Sequence, residues 1–141
     1  MPKYLLDTNV ISELTKKIPD GSVVEFWRNL KEVVISVITL EEIEFGIGRM
    51  RTSKKEILEK WWEEFRNIPP QIISITPEVA RISATLRSKE EMLGRTITQA
   101  DSLISATALS TGRILVTRNT KDFQNMGIAL LNPYSNCITN K

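Results

Sequence analysis

Short β-branched runs alternate with longer helical patterns along this chain, and this alternation constrains the fold more than any other feature. Hydrophobic spacing predicts strands at 3–6, 33–38, 71–75, 113–117 and 128–131. It predicts helices at 8–17, 22–30, 39–49, 54–67, 77–94 and 98–111, with Pro69 and Pro70 ending the fourth. Strands that alternate with helices predict an α/β fold with three layers, α/β/α. The central, mostly parallel sheet would have four to five strands.

The composition is that of one globular domain covering residues 1–141, with 41% hydrophobic and 26% charged residues. No apolar run reaches the roughly 18 residues of a membrane span, and no leader pattern is evident. We therefore expect a cytoplasmic protein that does not enter a membrane. A net charge of +2 tolerates a polyanionic partner without requiring one.

The chain contains no histidine and a single cysteine, Cys137. This excludes an internal disulfide framework, thiolate zinc sites, imidazole bases and triads that contain histidine. Any chemistry must therefore rest on carboxylates, amides, hydroxyls, lysine and arginine.

Three carboxylates occupy equivalent places in the predicted fold. Asp7 follows the first strand, while Glu42 and Asp101 lie in the predicted first turns of helices 39–49 and 98–111. If one parallel sheet carries them, they meet at one edge and suit a hard cation such as Mg²⁺ or Mn²⁺. Spacing alone favours helix capping for each of them: Asp7 precedes the helix that starts at Thr8 or Asn9, and Thr39 and Glu42, like Thr98 and Asp101, have the spacing of a capping box.

Four segments resemble the sequence motifs of PIN-domain toxins of the VapC type. They are LLDTNVISEL at 5–14, SVITLEEIEFG at 36–46, TQADSLISATA at 98–108 and LVTRNTKDF at 115–123, and LNPY at 131–134 resembles the usual tail. The resemblance implies a PIN-like nuclease fold and a metal-dependent endoribonuclease, the toxin of a type II toxin–antitoxin pair. It also implies an RNA substrate, a cognate antitoxin and a homodimer, with Trp61 and Trp62 in the antitoxin-binding surface.

The same resemblance assigns roles to individual residues. The implied catalytic residues are Asp7, Glu42, Asp101 and Asn119, of which the three acids are the implied Mg²⁺ or Mn²⁺ ligands. Asn119 stands where many relatives carry aspartate, which weakens a second metal site. Weaker candidates are Asn9 and Thr117, which would orient ligands, and Asp122, which is the alternative to Asn119 for the fourth acidic position. The RNA-binding cations are expected to be Arg118 and Lys121.

The implied reaction is hydrolysis of a phosphodiester by metal-activated water, which is consistent with the lack of histidine. Two alternatives remain. In a phosphotransferase of the haloacid-dehalogenase type, Asp7 would be the nucleophile, but Asn9 stands where that class needs a second acid. In the other alternative, a catalytically weak PIN fold binds RNA or an antitoxin without cutting.

Overall fold

Parallel strands form the centre of the molecule. The structure is a computed structural model that describes residues 2–67 and 71–134. Its strands are β1 (Tyr4–Leu6), β2 (Val34–Ser36), β3 (Gln71–Ile73), β4 (Ile114–Val116) and β5 (Leu130–Leu131). One parallel ladder has the order β1-β4-β5 and a second joins β2 to β3, with β1 lying beside β2. The predicted parallel sheet is confirmed. Its hydrogen-bonded ladder is interrupted between β1 and β2.

Helices cover the strands on two sides. They are α1 (Thr8–Glu13), α2 (Gly21–Arg28), α3 (Val37–Gly48), α4 (Lys54–Asn67), α5 (Pro77–Met92), α6 (Gln99–Thr111) and α7 (Thr120–Phe123). Within the described ranges, no helix combines the length and the apolar character needed to cross a bilayer.

Alternate strand residues pack into different apolar clusters. Leu6 and Val116 belong to a cluster with side chains of α1 to α4, whereas Leu5 and Leu115 belong to a cluster with side chains of α6 and α7. Because successive side chains of a strand point to opposite faces, the two clusters lie on opposite faces of the sheet. This arrangement is the predicted α/β/α architecture.

The second strand and the third helix meet earlier than the sequence predicts. Helix α3 begins at Val37, and the Ser36 hydroxyl accepts a hydrogen bond from the Ile38 N–H at 3.0 Å. The predicted start at Thr39 is therefore wrong, and so is the capping box of Thr39 and Glu42. Glu42 lies in the second turn of α3, where no orphan amide requires a cap.

Helix α1 is also shorter than predicted, because it ends at Glu13. The N–H groups of Leu14, Thr15 and Lys16 donate to carbonyls three residues back at 3.1, 3.1 and 3.2 Å, which tightens the chain into turns. The range of α4 is as predicted up to residue 67, while the helix end assigned to Pro69 and Pro70 lies outside the described residues. Helix α6 has the predicted Thr98 cap and ends at Gly112 with φ of 63°.

Candidate active site

Asp7 lies at the carboxyl end of β1. Its N–H extends the ladder by donating to the Val116 carbonyl at 2.9 Å. One carboxylate oxygen, Oδ1, accepts from the Thr8 N–H at 2.8 Å and so caps α1. The other, Oδ2, accepts from the Thr117 hydroxyl at 2.8 Å and from the Asn9 amide at 3.2 Å. Capping therefore uses one oxygen of Asp7, and the second joins a network of polar side chains.

Asp7 is buried, with 6% of the residue exposed. Burial raises its pKa above the ordinary value of 3.8, Asp122 adds to this, and the hydrogen bonds from Thr117, Thr8 and Asn9 oppose it. The net direction is upward, so these donors do not fully replace the lost hydration of the anion. A cation at this point would relieve that deficit.

Thr117 and Asn9 tie the end of β4 to the start of α1. The buried Thr117 hydroxyl donates to Asp7 and accepts from the Asn119 N–H at 3.0 Å and from the Asn9 amide at 3.3 Å. The Asn9 carbonyl oxygen, Oδ1, accepts from the Arg118 N–H at 3.1 Å. Both side chains therefore contact Asp7 directly and fix its rotamer.

The Glu42 side chain is oriented by Thr8 of α1 and does not cap its own helix, α3. Its Oε1 accepts a hydrogen bond from the Thr8 hydroxyl at 2.6 Å, and the same hydroxyl is 3.4 Å from that of Thr39. Thr8 thus connects Glu42 to the residue beside Asp7. Thr8 was not predicted as a site residue, although its position between Asp7 and Asn9 was a usable signal.

Asp101 is the third residue of α6, and its N–H donates to the Thr98 hydroxyl at 3.1 Å. Burial, followed by the charges of Asp7, Asp122 and Glu42, raises the pKa of its carboxyl to about 6, although the hydrogen bond with Thr98 lowers it. Acids from four distant segments therefore share one electrostatic environment.

The donor set fits a hard divalent cation in its chemistry, because it consists of carboxylate oxygens in a partly dehydrated setting. Across residues 2–67 and 71–134, no three acidic side chains stand close enough to enclose an ion together. Assignment of Asp7, Glu42 and Asp101 as ligands stays a prediction.

The fourth motif supplies an exposed rim. Asn119 precedes α7 at its N-cap position, but its side chain makes no capping hydrogen bond. Asp122 and Lys121 are exposed on α7. Asp122 influences the site through its charge, which raises the pKa of both Asp7 and Asp101.

Arg118 is held beside the site by Tyr134, a second residue that the sequence analysis did not single out. Its guanidinium carbon lies 4.8 Å from the centroid of the Tyr134 ring. The Tyr134 hydroxyl donates to the Asn9 backbone carbonyl at 3.0 Å, and the Asn132 side-chain amide donates to the Arg118 backbone carbonyl at 3.2 Å. Burial and the nearby Glu13 carboxylate raise the pKa of Tyr134 to about 12, so the hydroxyl stays protonated.

Acids at the carboxyl ends of parallel strands define a class of α/β proteins that bind ligands at this edge. The sequence matches the PIN domain family over residues 4–129. It is 32% identical to the VapC ribonuclease Y4jK of Sinorhizobium fredii over 92% of this chain and 96% of that protein.

Solved structures show the same likeness. The crystal structure of FitAcB from Neisseria gonorrhoeae has a TM-score of 0.84 and 33% identity, covering 92% of this chain and 97% of that one. A toxin–antitoxin complex from Klebsiella pneumoniae has a TM-score of 0.71 and 26% identity, covering 94% and 98%. The chain belongs to the PIN domain family, and among its members it resembles the VapC-type toxins. This assignment favours the nuclease hypothesis over the haloacid-dehalogenase alternative.

Proposed function

We propose that residues 1–141 form one nuclease domain, the endoribonuclease toxin of a type II toxin–antitoxin pair, which acts in the cytoplasm and depends on Mg²⁺ or Mn²⁺. The observation that carries this proposal is the position of Asp7. Its buried carboxylate is fixed by three donors and shares its electrostatic environment with Asp101. The ribonuclease name of the Sinorhizobium relative supports RNA as the substrate.

Asp7, Glu42 and Asp101 would hold the divalent ion. When bound, such an ion neutralises charge on a phosphodiester and lowers the pKa of a water molecule. Thr117 and Asn9 fix the Asp7 carboxylate, and Thr8 fixes that of Glu42.

RNA phosphates would be bound at the rim of the site. Arg118 has its backbone and guanidinium fixed by Asn9, Asn132 and Tyr134, and Lys121 is exposed on the neighbouring helix α7. The exposed Asn119 side chain would hydrogen-bond substrate or water, since an amide holds a cation less strongly than a carboxylate does.

We also propose a homodimer and an antitoxin partner, the latter supported by the toxin–antitoxin complex among the solved relatives. A groove of about 160 Å³ between α1, α3 and α4 is mostly apolar and lies against Glu42, with Trp61 in its lining. Trp62 instead is buried, stacks on Phe65 and donates its indole N–H to Glu44 at 3.1 Å. Trp61 is therefore the tryptophan suited to an antitoxin surface.

The test is cleavage of single-stranded RNA by purified, antitoxin-free protein with Mg²⁺ or Mn²⁺, with EDTA expected to stop it. Asp7→Asn and Asp101→Asn should abolish cleavage, because each removes a carboxylate charge at nearly constant shape. Glu59→Gln, at an exposed position on α4, is a matched control. If both active-site variants cut as well as the parent, the catalytic assignment is wrong. RNA binding without cleavage by the parent would favour the binding-module alternative.

A further inference from the structure

A polar cleft opens beside Asp101, between the α5–α6 connection and α7. Its volume is about 310 Å³, and its lining includes Glu90, Arg95, Asp101, Lys121, Asp122 and Asn125. That volume lies within the range of small-molecule sites. Because Asp101 forms part of the wall, anything bound in the cleft lies next to the proposed reaction centre.

Arg95 is the most rigidly held cation of this cleft. Its Nε and Nη2 donate to the two Glu90 oxygens at 3.1 and 2.9 Å. Gly94, with φ of 78°, turns the chain so that the Arg95 N–H also donates to the Glu90 carbonyl at 2.9 Å. The Glu90 side chain is 9% exposed and that of Arg95 is 46% exposed. Glu90 thus fixes one edge of the guanidinium, and part of the Arg95 side chain stays exposed in the lining of the cleft.

The pairing with Glu90 decides what Arg95 is suited to bind. The carboxylate offsets the positive charge, so the pair attracts a phosphate less than a free arginine would. A planar guanidinium still stacks on nucleobases, and its fixed position reduces the entropy lost on binding. Lys121 lies on the α7 side of the same cleft and forms no ion pair with another described residue. Its positive charge can bind a phosphate.

We infer that the cleft receives one nucleotide of single-stranded RNA beside the cleaved phosphodiester, with its base stacked on the Arg95 guanidinium. This inference rests on the proposed ribonuclease function and assigns one subsite of it. The alternative is that Arg95 only braces the end of α5.

The experiment measures steady-state cleavage of fluorescent RNA oligonucleotides by the parent, Arg95→Ala and Arg95→Lys. Arg87→Ala is the matched control, because it removes an exposed α5 arginine outside the cleft lining. We expect Arg95→Ala to raise KM about tenfold with little change in kcat, the size of one lost stacking contact. Arg95→Lys should behave like Arg95→Ala, because lysine keeps the charge but has no plane.

Oligonucleotides with one abasic position separate stacking from bracing. An abasic site at one position beside the cut should raise the KM of the parent by the same factor as Arg95→Ala does on intact RNA. The same abasic site should not raise the KM of Arg95→Ala any further. Equal effects of Arg95→Ala on intact and abasic RNA would overturn the inference. So would a parent-like KM for Arg95→Lys, or a loss of thermal stability without any change in KM.

Failure of the proposed function gives a different result. If the parent does not cut RNA, the ribonuclease proposal fails, and fluorescence anisotropy with the same oligonucleotides still tests the cleft. Equal affinities of parent and Arg95→Ala would then reject the Arg95 subsite, while weaker binding by Arg95→Ala that depends on one base would support it.

Discussion

Replacing Asp101 with asparagine should stabilise the metal-free protein at neutral pH while it removes activity. The pKa of Asp101 is raised from 3.8 to about 6, so the folded state binds a proton more tightly than the unfolded chain does. The stability that this proton contributes is fully present below about pH 4 and is lost as pH rises through about 6. Asparagine keeps the backbone N–H that donates a hydrogen bond to the Thr98 hydroxyl, and its side chain carries no negative charge at any pH.

The size of the effect follows from the same two values. The difference between 3.8 and about 6 corresponds to about 3 kcal/mol at 1.36 kcal/mol per pKa unit. Asp101 is only about half buried, so solvent screening reduces this to about 1.5 kcal/mol. Loss of a favourable acid in the first turn of α6 takes away about 0.5 kcal/mol. We expect a net gain of about 1 kcal/mol at pH 7.5 and almost none at pH 4.

Urea unfolding in EDTA at several pH values between 4 and 8 measures this gain. Glu91→Gln, at an exposed position on α5, controls for the loss of one negative charge. Added Mg²⁺ should erase the advantage, because an ion that binds only the parent stabilises only the parent. The electrostatic explanation is refuted if the gain is independent of pH or if the variant is less stable than the parent at pH 7.5.

Three further changes test other parts of the structure. Thr117→Val removes the 2.8 Å hydrogen bond to Asp7 and should cost about 2 kcal/mol in urea unfolding. It should also move the acidic limb of the cleavage pH profile to higher pH, whereas Thr117→Ser should not. Tyr134→Leu removes the ring beneath Arg118 and should raise KM for RNA about threefold, with Tyr134→Phe closer to the parent on this measure. Gly112→Ala forces a side chain onto φ of 63° and should cost about 1 kcal/mol of unfolding free energy without changing KM.

Sequence patterns located α6 correctly because single residues mark both of its ends. Thr98 and Gly112 bracket α6 as predicted, because a hydroxyl cap and a left-handed glycine are properties of single residues. Helix α4 was found from the helical spacing of its apolar residues, which is a property of the local sequence.

The junction of β2 and α3 could not be located in this way. Val37 and Ile38 are β-branched and extend the apolar run, so local propensity favoured strand where the structure has helix. Capping by Ser36 and packing in the fold override that propensity. The position of Glu42 depends on this junction, which is why its assignment to a first turn was wrong.

The side chains that contact the candidate site residues could not be predicted from residue spacing either. The contact of Thr8 with Glu42 depends on how α1 and α3 pack, and the contact of Arg118 with Tyr134 depends on the path of the chain after β5. The carboxylates themselves were identifiable because each follows a recognisable motif. Their effect on one another's pKa values depends on distances in the folded structure, which spacing in the sequence does not give.

The bond between Asp7 and Thr117 joins residues 110 positions apart and has a consequence for synthesis. During translation, β1 emerges well before its partner β4, and the Thr117 hydroxyl that orients Asp7 follows β4. Until β4 has left the ribosome, a nascent chain lacks the hydrogen bond that orients Asp7. Ribosome-bound chains arrested before residue 114 should therefore leave RNA intact, whereas chains in which β4 has paired with β1 should cut it.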